Sequence, residues 1–210
     1  MSKVAIQGNA SGTGTFTIAA PDSNNNNTLT LPDEAGTVLT SGTAASSIPG
    51  YGNQITMIDT YRVSADVSLG SGGVVNNNWE RPDSDGHYVG SGVTEAAGVF
   101  SFSETGLYLV IYNFFLYITS AAGNTRNIQL LLESTENNSS YSTLSYSNIS
   151  KWNHSDNTHA QHNGHAVFDV TNITNYKLRF NTVFGNGNGA VGGNTLDSRS
   201  YVTFMKLGDT

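Results

Sequence analysis

Apolar residues are sparse at the start of the chain and dense in its middle. Between Gly98 and Ile118 the sequence reads GVFSFSETGLYLVIYNFFLYI. The pattern predicts a strand over 98–103, a turn around Thr105-Gly106 and a long strand over 107–118, because Tyr, Phe, Val and Ile favour the pleated conformation. Twelve residues from Leu107 to Ile118 fall short of the about 20 that a membrane-spanning helix needs. Split by parity, Leu107, Leu109, Ile111, Phe115 and Tyr117 share one face, and Tyr108, Val110, Tyr112, Phe114, Leu116 and Ile118 share the other. Apart from the Tyr hydroxyls, Asn113 is the polar break. Antiparallel strands usually bury one face and wet the other. A strand apolar on both faces needs a second cover, either the middle of a large fold or another subunit.

The rest of the chain alternates in shorter pieces. Residues 1–50 hold only Thr15–Ile18, Thr28–Leu31 and Gly36–Leu39 as strand-like runs, around the turn-rich APDSNNNN and before the linker SGTAASSIPG. So few large apolar side chains cannot enclose a core, and the segment reads as an attachment piece. From Ile55 the alternation Ile55, Met57, Tyr61, Val63, Val67, Leu69 slips in phase, which suggests a bulge. Residues 70–78 read as loop, and Pro82–Gly86 as a turn. Further strands are expected at 127–134, 141–149, 165–170, 176–184 and 200–207, with 150–163 and 185–199 as long polar loops. This gives about eight strands in residues 54–210, an all-β sandwich.

Composition narrows the function. Charged residues are 12% of the chain and the net charge is -7, which argues against long surface helices and against nucleic acid, whose phosphates need Lys and Arg clusters. There is no cysteine, so disulfides and thiol chemistry are excluded. No apolar leader is visible at the N-terminus, and no membrane-inserting segment is expected.

If successive strands run antiparallel, the connections fall alternately at two poles. The near pole receives 103–106, 135–140 and 171–175, the point near residue 54 where the domain begins, and its end at 208. The far pole receives 119–126, 150–164 and 185–199, together with 70–95. Attachment at one pole and long polar loops at the other is the layout of a binding head.

Two sets of residues carry a family resemblance. Gly98-Val99-Phe100-Ser101-Phe102 leading into Gly106-Leu107-Tyr108, with the closing SYVTFMKLG from Ser200, resembles the jelly-roll heads of the complement globular-head and TNF-like superfamily. Residues 8–40 and the stretch WERPDSDGHYVGSGVTEAAGVFSFSETGLYLV resemble tail-fibre proteins of tailed bacteriophages, marine and cyanobacterial phages in particular. The resemblance implies a short N-terminal β attachment segment, 1–50, and a trimeric TNF-like jelly-roll head, 51–210. It implies a homotrimer, contacts with other virion proteins through 1–50, and a virion component made in the bacterial host cytoplasm whose head binds a host surface glycan or protein. The trimer seam is assigned to Tyr108, Val110, Tyr112, Phe114 and Leu116. A capsid decoration or collar protein, and a glycan-cleaving head, are the alternatives.

Candidate site residues follow from the far-pole layout. Trp152, Asn153, His154, His159, Tyr146, Asn186 and Asn188 are assigned to receptor contact, because aromatic faces stack on sugars while amides and imidazoles read hydroxyl groups. Tyr141 is placed beside them. His154, His159, His162 and His165 match no ligand spacing, and no metal is expected; His159, His162 and His165 would be its holders if one bound at a threefold axis. Asp83-Ser84-Asp85-Gly86 lacks the later acid of a calcium loop. Acid and histidine pairs such as Glu133 and Glu136, or Asp156 and His159, sit in no catalytic motif. Neither enzymatic activity nor a cofactor is expected.

Overall fold

The computed structural model describes residues 11–14, 24, 55–83, 88–119, 125–152, 157–185 and 188–210. The chain forms two compact units, Met1–Thr43 and Ala44–Thr210. The strand-like runs expected in residues 15–18, 28–31 and 36–39 lie outside the described residues.

The second unit is all-β among the described residues. Its strands are β1 (Ile58–Val63), β2 (Val67–Gly70), β3 (Gly72–Val74), β4 (Trp79–Glu80), β5 (Tyr88–Val89), β6 (Val93–Ala96), β7 (Val99–Phe102), β8 (Gly106–Ile118), β9 (Thr125–Thr135), β10 (Ser142–Trp152), β11 (Thr158–Val170), β12 (Lys177–Phe184), β13 (Gly189–Val191) and β14 (Tyr201–Gly208). They build two antiparallel sheets. In the first, β8 is flanked along its whole length by β11, and on its other side by β14 over one half and β13 over the other. β14 continues into β1, which carries β4 and β5, and β13 continues into β2. The second sheet runs β10-β9-β12-β7-β6, with β3 also on β12. From β7 onward most connections cross from one sheet to the other, β9 to β10 and β13 to β14 excepted, the habit of a jelly roll.

β6 and β7 are joined by Ala97-Gly98, both at positive φ (50° and 81°). A two-residue hairpin turn needs that backbone, and glycine tolerates it without strain. β8 alternates strictly between buried and less buried positions. Its Tyr108, Val110, Tyr112, Phe114, Leu116 and Ile118 point into the space between the sheets. There they meet Phe100 and Phe102, Ile128, Leu130 and Leu132, Leu178 and Phe180, and Val202 and Phe204. Trp79, Phe100, Phe114 and Phe180 form a cluster of edge-to-face and tilted ring contacts at the centre, with centroid distances from 4.6 to 6.3 Å.

Three local expectations are corrected. Residues 150–163 are not one long loop: β10 runs to Trp152 and β11 begins at Thr158. Short strands β3 and β13 lie inside the Gly-rich stretches read as loop. Residues 70–95 do not all sit at the far pole: Trp79 pairs with Val63, but Tyr88 pairs with Asp59, so this stretch descends along β1 to the near pole. The registers otherwise reproduce the two poles. Ile118 pairs with Thr158 and Trp152 with Thr125 at the far end; Gly106 pairs with Val170 and Lys177 with Thr135 at the near end.

Candidate functional site

The residues assigned to a trimer seam are the first correction. Tyr108, Val110, Tyr112, Phe114 and Leu116 are each at most 3% exposed within one chain, so they are consumed by the core and offer nothing to a partner. The opposite face of β8 is the uncovered one. The register arranges it in rows across the sheet. The row nearest the near pole is Val89, Ile58, Met205, Leu109 and Val167, apolar across five strands. The next is Thr60, Thr203, Ile111 and His165, with Thr60 and Thr203 hydroxyls 2.9 Å apart. A polar row follows, with Arg62, Tyr201, Asn113 and Asn163. Phe115 and Gln161, then Tyr117 and His159, complete the face toward the far pole.

Asn113 does find partners. Its amide nitrogen donates to the Arg199 carbonyl at 2.9 Å, and its oxygen accepts from Gln161 Nε2 at 2.9 Å. Two shallow depressions flank it. One of about 490 Å³ is lined by Leu109, Ile111, Asn113, Asn163, His165 and Tyr201. The other, of about 340 Å³, is lined by Phe115, Gln161, Ser198 and Arg199 with Asn113. Val167 is 52% exposed and Val89 49%. A contiguous, partly exposed apolar row on a sheet face is a candidate interaction surface.

The far-pole candidates separate. Asn153, His154 and Asn186 lie outside the described residues. Trp152 ends β10, paired with Thr125. His159 is the second residue of β11, its ring stacked on Phe115 at 5.2 Å. Asn188 adopts φ 57° and its carbonyl accepts from Thr119 N at 3.2 Å, so it does lie at the far pole. Nearby, Tyr117 donates to Asp66 Oδ2 at 2.8 Å, and burial with that acceptor pushes its hydroxyl pKa up to about 12.

Tyr146 and Tyr141 are not at the far pole. Tyr146 sits mid-strand in β10 opposite Leu131, exposed on the outer face of the second sheet. Tyr141 lies toward the near pole, under the Arg179 guanidinium at 3.7 Å, and Arg179 also binds Glu133 at 2.6 Å. The histidines do not converge. His162 points into the core, while His159 and His165 face outward on rows of β11 set by Tyr117 and Ile111. Among the described residues no group of three or more His, Cys, Asp or Glu is placed to hold a metal. No helix there is long and apolar enough to cross a membrane.

One charged cluster escaped the sequence reading. Asp59, fully buried, accepts two hydrogen bonds from Arg81, from Nε and Nη2 at 2.8 Å each, and a third from Val93 N at 2.7 Å. Arg81 lies over the rings of Tyr61 and Tyr88. Arg62 beside it binds Glu80 and Asp83, both at 2.9 Å. These pairs fasten the segment 79–93 to β1. At the near pole Lys206 bridges Glu104 and Asp209. A hydrogen bond from Ser91, and then Lys206, hold the Glu104 carboxyl below its usual range.

The two sheets and their strand order define a TNF-like jelly-roll domain. The structure is similar to murine APRIL, with a TM-score of 0.50 and 13% identity over 72% of this chain and 98% of that one. It is also similar to the Eiger TNF from S. frugiperda, with a TM-score of 0.54 and 15% identity over 75% and 96%. At such identities the likeness is one of fold. No protein-family model matches the chain, and no curated protein does.

Proposed function

We propose that the chain is a homotrimeric tail-fibre protein of a bacteriophage. Residues 1–50 join it to the virion, and the jelly-roll head binds a host surface glycan or protein through its far pole, without chemistry. The observation that carries this reading is the separation of the poles. The domain starts beside Ile58 and ends at Gly208 at one end, while the C-terminal ends of β8, β10 and β12 lie together at the other. The apolar face of the first sheet supports the trimer, and the phage-like residues 8–40 support the virion setting.

Two measurements test it. Light scattering of the purified protein is expected to give about three times the 22.3 kDa chain mass, and Ile111→Asp, which sets a charge in the middle of the uncovered face, is expected to give folded monomer. A monomeric native protein sinks the trimer, and a trimeric Ile111→Asp protein moves the seam elsewhere. For binding, Trp152→Ala combined with replacement of the 153–157 and 185–188 connections by Gly/Ser segments is expected to reduce adsorption to host cells at least tenfold. Unchanged adsorption would remove the far pole as the receptor surface.

A further inference from the structure

We infer that the edge of the sandwich where β10 covers β11 is an acid-sensitive latch, held by a buried neutral histidine, and that acid loosens the connection between these strands. The inference stands independently of the oligomeric state and of the receptor.

β10 is an edge strand, hydrogen-bonded to β9 alone among the described residues. Toward the core it presents Ser145 and Ser147, where neighbouring strands present large apolar groups. Two polar links tie these serines to the first sheet. Tyr112 of β8 meets Ser145, hydroxyl to hydroxyl, at 2.8 Å. Its ring lies over Gly164, where an added Cβ would come within 2.7 Å of the ring carbon bearing the hydroxyl. Two residues before Gly164 on β11, His162 Nδ1 meets Ser147 Oγ at 2.7 Å. His162 is 1% exposed, and its Nε2 is buried with no protein partner.

This geometry suits one protonation state. A neutral ring either donates from Nδ1 to Ser147 or accepts from it, leaving Nε2 as a bare lone pair or a single N–H. The cation carries N–H on both nitrogens and a charge, and the buried Nε2–H then has nothing to donate to. Among the described residues no charged side chain compensates it. The inward-facing neighbours are Tyr112, Phe114 and Leu116 from β8, Ile128, Leu130 and Leu132 from β9, Ser145, Ser147 and Ile149 from β10, and Ala160 and Gly164 from β11. The only titratable side chain among these is Tyr112, whose hydroxyl is engaged with Ser145. Burial accordingly pushes the His162 imidazole below its usual range, with no opposing charge.

The sign follows from linkage. A histidine whose folded pKa lies below its unfolded value of about 6.5 leaves stability intact above that pH. Below it, each open or unfolded molecule takes up a proton that the closed one refuses, and stability falls until the lower folded pKa is reached. Opening need not be global, because edge segments with few apolar contacts open first. Parting β10 from β11 hydrates His162 at the least cost.

The test uses the full chain. Histidine-ring NMR is expected to show His162 titrating below the usual histidine range. Amide hydrogen exchange, corrected for intrinsic rates, is expected to lose protection on β10 and the first half of β11 between pH 7.5 and pH 5, while β1 and β14 keep theirs. The loss should reach roughly tenfold for each unit by which the His162 pKa is depressed. In His162→Gln, an uncharged side chain that can still bond Ser147, the acid-dependent loss should vanish. A His162 that titrates near 6.5, β10 protection independent of pH, or the same acid loosening in His162→Gln would overturn the latch. If His162→Gln fails to fold, the native-protein titration and exchange decide the matter alone.

Discussion

Phe100→Ala is expected to lower stability by about 3–5 kcal/mol, the range for truncating a buried phenylalanine. Phe100 has no exposed surface and lies within 5.1–6.3 Å, ring to ring, of Tyr61, Trp79, Phe180 and Phe204. It belongs to the second sheet, while Tyr61 and Phe204 come from the first, so its ring is shared by both layers. The truncation removes transfer energy, leaves a cavity that rigid aromatic walls cannot close, and forfeits several edge-to-face contacts. Against a total stability of about 5–15 kcal/mol for a domain, that loss is severe. Urea unfolding should show a lower midpoint with an unchanged slope. A cost below about 1 kcal/mol would mean that the centre of the sandwich is not packed as described.

Arg81→Met is expected to cost about 3 kcal/mol, the lower end for breaking a buried ion pair. Methionine keeps an apolar stem over Tyr61 and Tyr88 but removes the guanidinium. The Asp59 carboxylate, fully buried, is then left with the Val93 N–H. The Arg81 side chain is 42% exposed, so water reaches part of the vacated space and holds the cost at that lower end. Asp59→Asn in the Arg81→Met background should recover more than half of the loss, because it removes the uncompensated charge and keeps an acceptor for Val93. If the single variant is as stable as the native protein, or the second change adds further damage, Asp59 and Arg81 do not form the pair that fastens 79–93 to β1.

The sheet framework was legible in the sequence where alternation involved large side chains. β7, β8, β12 and β14 carry aromatic or aliphatic residues at most inward positions, Thr182 and Lys206 being among the exceptions, and their registers follow the expected poles. β11 hid its first half. The inward positions there are Thr158, Ala160, His162 and Gly164, none of them a large aliphatic, so a paired strand looked like polar loop. β3 and β13 were hidden by glycine, which carries no strand signal of its own. The face of β8 was misassigned because parity yields two apolar sets and no rule for choosing between them. Asn113 was the available clue: it shares its face with Leu109 and Ile111, and that face is the outer one. The pair of Asp59 and Arg81 was out of reach, since the two residues are 22 positions apart and only the descent of the chain along β1 brings them together.

The rows on the outer face of the first sheet have a consequence for how copies packed through that face would align. Apolar, mixed, polar and aromatic rows succeed one another over the length of β8, and no two neighbouring rows are interchangeable. Strand residues rise about 3.3 Å each, so sliding one copy by two rows, about 13 Å, would set its apolar row against the Asn113 row of the next. Such a slip strands amides against hydrocarbon and leaves Leu109 and Val167 facing polar groups, a penalty on the order of 1–3 kcal/mol for each unpaired polar group. A face graded in this way acts as a ruler. Copies that meet through it would share one axial height, and the tips of all the heads would end level.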